Sequence, residues 1–135
     1  MTRSRLQLLG SLLVLATIAS ACLSFTGDED SPEDIVVTAT VLRTANLFVG
    51  SEVRVLGIPV GEVSDITPKG DNVDIELTLD GARDYPAEVN VRLTPQSLLG
   101  ERFAALDPPY TGGPTLESGA HVPLERTGIP AEVDE

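Results

Sequence analysis

The stretch 71–79 reads Asp71-Asn-Val-Asp-Ile-Glu-Leu-Thr-Leu79, and it decides the fold class. Every second residue is aliphatic, so an extended chain has one apolar face (Val73, Ile75, Leu77, Leu79) and one polar face (Asn72, Asp74, Glu76, Thr78). A period of two is typical of a β-strand with one buried side. The stretch therefore predicts a strand that contributes one face to an aliphatic core.

Similar β-rich runs lie on both sides of this strand. They span residues 35–42, 53–55, 58–66, 89–93, 102–106 and 121–124, and turn residues such as Gly50-Ser51 and Pro108-Pro109 separate them. No stretch between 35 and 124 keeps a helical period of 3.6. Short strands at nearly even spacing predict an all-β fold, a small seven-stranded barrel over residues 35–126. The only plausible helix would begin after Pro130, in the C-terminal tail 127–135.

Charge and cysteine content exclude several classes of protein. The 135 residues carry 9 basic and 21 acidic side chains, a net charge of −12. A domain this acidic repels phosphate backbones, which excludes nucleic-acid binding. It also has no Lys/Arg cluster that would hold it to anionic lipid headgroups. The single cysteine, Cys22, excludes an internal disulfide.

The first 34 residues predict membrane attachment outside the cytoplasm. Arg3 and Arg5 precede an apolar run, and small residues precede Cys22, which makes 1–21 a signal peptide or an uncleaved membrane anchor. The end of this run resembles a bacterial lipobox, although Ala19 replaces the usual Leu, and a lipobox implies lipidation of Cys22. Plain secretion is the third alternative. Residues 22–34 predict an extended, acidic tether, since the calcium-loop alternative lacks properly spaced ligands.

Residues suited to catalysis are scarce. His121 is the only histidine, and on a short predicted strand a structural role is favoured over that of a general base. Lys69 is the only lysine and is not part of a phosphate-binding loop. We therefore predict no catalytic, cofactor or metal site, and a protein that is not an enzyme.

Two motifs stand out from the strand pattern. The first is Gly50-Ser-Glu-Val-Arg-Val-Leu-Gly-Ile-Pro-Val-Gly-Glu-Val63, in which Gly57, Pro59 and Gly61 predict a tight hairpin or strand corner. The second is Pro95-Gln-Ser-Leu-Leu-Gly-Glu-Arg-Phe103, in which Pro95 and Gly100 bound a loop that contains Leu98 and Leu99. From the residues alone, these two leucines either fill the core or meet a partner.

Together the two motifs resemble the MCE (mammalian cell entry) family, which includes the Mla-type lipid-transport rings. The resemblance extends from about Val36 to Glu132, and the segments 110–114 and 122–127 look like actinobacterial members. It implies six barrels around a central hole, with Leu98 and Leu99 on a loop that lines an apolar pore. It also implies lipid cargo (phospholipid, fatty acid or sterol), other MCE subunits in a homo- or hetero-hexamer, and the permease and ATPase of an ABC-type transporter.

Two further expectations follow from this resemblance. Actinobacterial members usually continue into a long helical segment, and Glu135 lies where that helix would begin. The location implied is the extracytoplasmic face of the cell membrane. The alternative function is a surface lipoprotein that uses the same domain as an assembly or host-adhesion module without transporting lipid.

Overall fold

The strands of the chain form one sheet. The computed structural model describes residues 32–98 and 100–128, so Cys22, Leu99, the segment 1–21, and most of the tether and tail lie outside the described residues. In chain order the strands are β1 (Ile35–Val41), β2 (Glu52–Val55), β3 (Ile58–Lys69), β4 (Asn72–Leu79), β5 (Asn90–Pro95), β6 (Arg102–Asp107), β7 (His121–Val122) and β8 (Thr127–Gly128). The prediction of an all-β domain is confirmed.

The sheet has eight strands in the described residues, one more than the sequence predicts. Their order is β7-β1-β4-β3-β2-β6-β5-β8. The additional strand, β8, lies just past the predicted boundary at Arg126 and pairs in parallel with β5 through Val91 and Arg92. A strand of two residues is too short to show a period, which explains why the sequence pattern missed it.

Strand β3 curves the sheet. It is 12 residues long, and its pairing register shifts twice, once opposite Val53/Arg54 of β2 and once between its own Val63 and Asp65. Each shift leaves one extra residue on β3, which is the definition of a β-bulge, and bulges bend a strand and increase its twist. The curvature brings the two edges of the sheet toward each other.

The segment 121–128 nearly closes the barrel. Its first strand, β7, pairs with β1, and its second strand, β8, pairs with β5 at the opposite edge of the sheet. A single 3-10 turn, Leu124–Arg126, lies between them. The hydroxyl of Thr127 donates to the carbonyl oxygen of Thr40 at 2.8 Å, which ties β8 to β1 directly.

Aliphatic side chains fill the interior of the barrel. The stretch that decided the fold class contributes Ile75, Leu77 and Leu79, all fully buried, and β5 adds Val91 and Leu93. A barrel of about eight strands is just wide enough for its own side chains to fill it. The interior of one domain is therefore a packed core and not a channel.

The barrel has two ends, which differ in what they present. The loop end carries the β1–β2 loop (42–51), the β3–β4 turn (70–71) and the β5–β6 loop (96–101). The hairpin end carries the Leu56–Gly57 turn between β2 and β3 and the start of β1. The two ends are opposite because β2 begins at one and finishes at the other. Strand β2 begins after the β1–β2 loop and ends at the hairpin turn, and β6, which begins after the β5–β6 loop, runs parallel to it.

Candidate functional site

The β5–β6 loop presents an apolar side chain to solvent. Leu98 has a relative exposure of 106%, so it does not fill the core, and that alternative is wrong for this residue. The N–H of Gln96 donates to the Glu101 carbonyl at 2.7 Å and closes the base of the loop. Gly100 has a φ of +93° in this loop. The loop therefore holds Leu98 out from the end of the barrel.

The β1–β2 loop adds two apolar side chains at the same end. Phe48 and Val49 are 59% and 61% exposed. The N–H of Arg102, the first residue of β6, donates to the Asn46 carbonyl oxygen of the β1–β2 loop at 3.0 Å, and both loops line a cleft of about 270 Å³. We refer to Phe48, Val49 and Leu98 as the apolar loop patch. Exposed large apolar side chains that share one end of a domain indicate a contact surface.

Backbone hydrogen bonds keep the β1–β2 loop ordered. Leu47 is buried, and its N–H donates to Thr44 at 2.9 Å. The N–H of Ser51 donates to the Phe48 carbonyl at 3.0 Å, and the Ser51 hydroxyl accepts from the Phe48 N–H at 3.0 Å. Sequence reasoning missed Phe48 and Val49, because three apolar residues in a row before Gly50 do not indicate which of them is buried.

The first motif forms the β2–β3 hairpin. Leu56 and Gly57 occupy its two turn positions with φ values of +51° and +81°, the left-handed pair that a type I′ turn requires. Pro59 lies on β3 opposite Arg54. Gly61 lies where β3 approaches β4 so closely that a Cβ there would overlap the Thr78 carbonyl oxygen. Gly57, Pro59 and Gly61 therefore have structural roles in the hairpin and in the packing of β3.

A half-open cavity of about 300 Å³ lies at the hairpin end. Its lining includes Val55, Val60, Tyr85, Leu106 and Tyr110. The Tyr85 hydroxyl donates toward the carbonyl oxygens of Asp80 (3.1 Å) and Val60 (3.4 Å). Burial, followed by the nearby Asp80 carboxylate, raises the pKa of Tyr85 to about 12, so the phenol stays neutral over the physiological range.

His121 lies in a chain of hydrogen bonds that joins three strands. Its Nε2 is 2.9 Å from the Thr40 hydroxyl, which donates to Asp74 Oδ1 at 2.7 Å. In a hydrolytic triad the carboxylate contacts the histidine, and the histidine accepts the hydroxyl proton. Here the Asp74 carboxylate accepts the hydrogen bond from the Thr40 hydroxyl, so His121 Nε2 is left to donate a hydrogen bond to the Thr40 oxygen. The arrangement ties β7, β1 and β4 together and is not that of an activated nucleophile.

Residues 32–98 and 100–128 contain neither a candidate metal cluster nor a candidate membrane-spanning helix. Within these ranges no group of three or more His, Cys, Asp or Glu side chains could hold a metal ion. Over the same residues there is no helix with the length and apolar character needed to cross a bilayer.

Comparisons with known proteins give a family and a fold. Residues 33–109 match the family described as MlaD protein. No curated protein sequence matches the chain significantly. Among 61 matching chains of solved structures is one from the Acinetobacter MlaFEDB complex in ATP-bound Vtrans1 conformation. It is 14% identical, with a TM-score of 0.61, and the match covers 98% of this chain and 96% of that one. At this identity the structural match shows a shared fold.

Proposed function

The chain belongs to the MlaD protein family, and on this premise we propose that it is a subunit of a cell-envelope lipid transport system. The observation that carries the proposal is the fully exposed Leu98, held out from the same end of the barrel as Phe48 and Val49. Exposing leucine and phenylalanine to water is unfavourable in free energy. A surface that guides acyl chains or sterol rings, by contrast, needs apolar side chains.

The packed interior of the barrel supports a path between copies of the domain. Because buried aliphatic residues fill the barrel, cargo as large as a lipid has no room inside one domain. In the proposed assembly, six domains surround a central hole, either as identical copies or with other MCE subunits. Leu98 and Leu99 of each copy line the hole. The resulting constriction is dry, accepts phospholipid, fatty acid or sterol, and rejects ions.

Partner subunits supply the energy in this proposal. The sequence has one lysine and no phosphate-binding loop, so this chain does no work on a nucleotide. The matched chain comes from a complex solved in an ATP-bound conformation, which supports an assembly with an ATPase and a membrane permease. The actinobacterial type stays a prediction, because segments 110–114 and 122–127 lie beyond the matched residues 33–109.

Labelling with a photoactivatable lipid tests the proposal. The full chain is purified from membranes together with its partner subunits, and a phosphatidylethanolamine with a diazirine in its acyl chain is activated by light. Because acyl chains would pass the apolar loop patch, we expect label in the loops 42–51 and 96–101, about tenfold above that in β4. Mass spectrometry of the digested chain locates the label. Label spread evenly over the surface, or none, would favour the assembly or adhesion module instead.

Cys22 is the proposed point of attachment on the extracytoplasmic face of the membrane. Replacing Cys22 with Ser is expected to block cleavage of the segment 1–21 and the incorporation of labelled fatty acid, because the Cys22 sulfur is the atom that would carry the lipid. Two or more acyl chains give stable anchoring, so the wild-type protein is expected in the membrane fraction. If the wild-type protein keeps its N-terminus and takes up no labelled fatty acid, an uncleaved anchor replaces the lipoprotein hypothesis.

A further inference from the structure

Leu56, at the tip of the β2–β3 hairpin, is unusual both in its exposure to solvent and in its backbone conformation. Leu56 is 77% exposed and has a φ of +51°, and its neighbour Ile58 is 55% exposed. Turns of this type favour Asn, Asp or Gly at such positions, and a bulky side chain with positive φ is uncommon. Asparagine would suit both the backbone and the solvent better. An apolar residue kept there against both preferences indicates that the tip is covered by a partner.

The hairpin end is also where the chain enters the barrel from its N-terminal side. Ile35, the first residue of β1, pairs with Leu79, which pairs on its other side with Gly61 of β3. Asp34 and Pro59 line the same cleft. If Cys22 is held at the membrane, the chain between Cys22 and Ile35 extends at most about 45 Å from it. The hairpin end therefore lies within that distance of the bilayer.

The charge at this end argues against direct contact with lipid headgroups. The acidic side chains of Asp34, Asp80 and Asp84 surround the hairpin end, and the nearby Arg83 already pairs with Asp80 at 3.2 Å. Anionic lipid headgroups would repel this arrangement. A protein surface with an apolar groove and basic residues along its edges would be complementary to it.

We propose that the hairpin end docks on the extracytoplasmic surface of the transporter's permease, with Leu56 and Ile58 seated in an apolar groove that basic residues border. This inference rests on the proposed function, which supplies the permease. The apolar loop patch then faces away from the membrane, because it lies at the opposite end of the barrel. Strand β8 runs parallel to β5, toward the loop end.

Crosslinking from the two ends of one strand tests this orientation. A photo-crosslinking amino acid replaces either Ile58 or Lys69, the first and last residues of β3, in cells that carry the full chain and an epitope-tagged permease. The expected result is an adduct with the permease from position 58 and none from position 69. An adduct from position 69 alone reverses the orientation and overturns the proposal. Adducts from position 58 only to a second copy of the chain assign the tip to the ring and also overturn it.

A matched pair of asparagine variants tests the contact itself. Leu56→Asn removes the apolar side chain from the tip, and Gly70→Asn introduces the same residue at a positive-φ turn of the loop end, where nothing obstructs a side chain. Both variants are expected to melt like the wild type, since asparagine tolerates positive φ. We expect Leu56→Asn to reduce recovery of the tagged permease with the full chain about tenfold, and Gly70→Asn to leave it unchanged.

Three other results would overturn the proposal in distinguishable ways. If the wild-type chain binds vesicles of phosphatidylcholine and phosphatidylglycerol and Leu56→Asn does not, the tip contacts the bilayer and not a protein. If the permease is recovered equally with both variants, the hairpin makes no contact, although the proposed function stands. If the wild-type chain never recovers the permease, the proposed function itself fails, and the docking surface fails with it.

Discussion

Replacing Leu98 and Leu99 with aspartate is expected to abolish lipid transport and to leave the melting temperature unchanged. The side chain of Leu98 is entirely exposed, so its replacement opens no cavity in the core. If the two positions line a shared constriction, the new carboxylates put charge where lipid must pass. An ionised carboxylate without a partner in an apolar site costs several kcal/mol or is forced to take up a proton. Since about 1.4 kcal/mol corresponds to a factor of ten, transport should fall by about 100-fold.

Two control variants separate a transport defect from a folding defect. Leu98→Met keeps an apolar side chain on the loop and should transport nearly as well as the wild type. Leu93→Asp puts a carboxylate into the fully buried interior of β5 and should unfold the domain. Circular dichroism melts and a lipid-uptake assay in cells are run on all three proteins. Normal uptake by the stable double aspartate variant would exclude the pore-lining role, and loss of fold in that variant would show that Leu99 is a core residue.

Periodicity predicted the long strands well because each of them has one face in the core and the other toward solvent. In β4 the aliphatic residues Ile75, Leu77 and Leu79 point into the barrel, and the polar residues between them point outward. The two-residue strand β8 depends instead on contacts with distant residues, such as that of the Thr127 hydroxyl with Thr40. Only the folded barrel brings these residues together, so no local pattern could reveal β8.

The candidate site was only half predictable for a related reason. Pro95 and Gly100 marked a loop, but a leucine in a loop either turns inward or remains outside, and tertiary structure decides which. Leu47 and Phe48 show the same ambiguity, because adjacent residues of similar hydrophobicity end up buried and exposed, respectively. The positive φ of Leu56 was equally hidden, since leucine gives no signal of a left-handed turn. Exposure and strain of this kind are properties of the assembled fold.

A large loss of stability is expected from Gly61→Ala. A Cβ at position 61 would overlap the carbonyl oxygen of Thr78 and lie 2.9 Å from the Cα of Leu79, and neither backbone atom can move without shifting β4. Strands β3 and β4 share the longest antiparallel ladder at the centre of the sheet, so a displacement there disturbs the packing of Leu77 and Leu79 as well. Forcing extra atoms into a packed interior costs about 1–3 kcal/mol, and a clash with backbone should reach at least the top of that range.

Gly128→Ala is the matched control for this variant. It adds the same methyl group at a strand position where the nearest atom is Arg92 Cγ, at an ordinary contact distance of 3.9 Å. For a domain of this size, about 3 kcal/mol lowers the melting temperature by roughly 12–24 °C. Thermal melts followed by circular dichroism should therefore show a large decrease for Gly61→Ala and almost none for Gly128→Ala. If the two variants melt together, β3 and β4 can separate at little cost, and the close approach at Gly61 is not what holds the centre of the barrel.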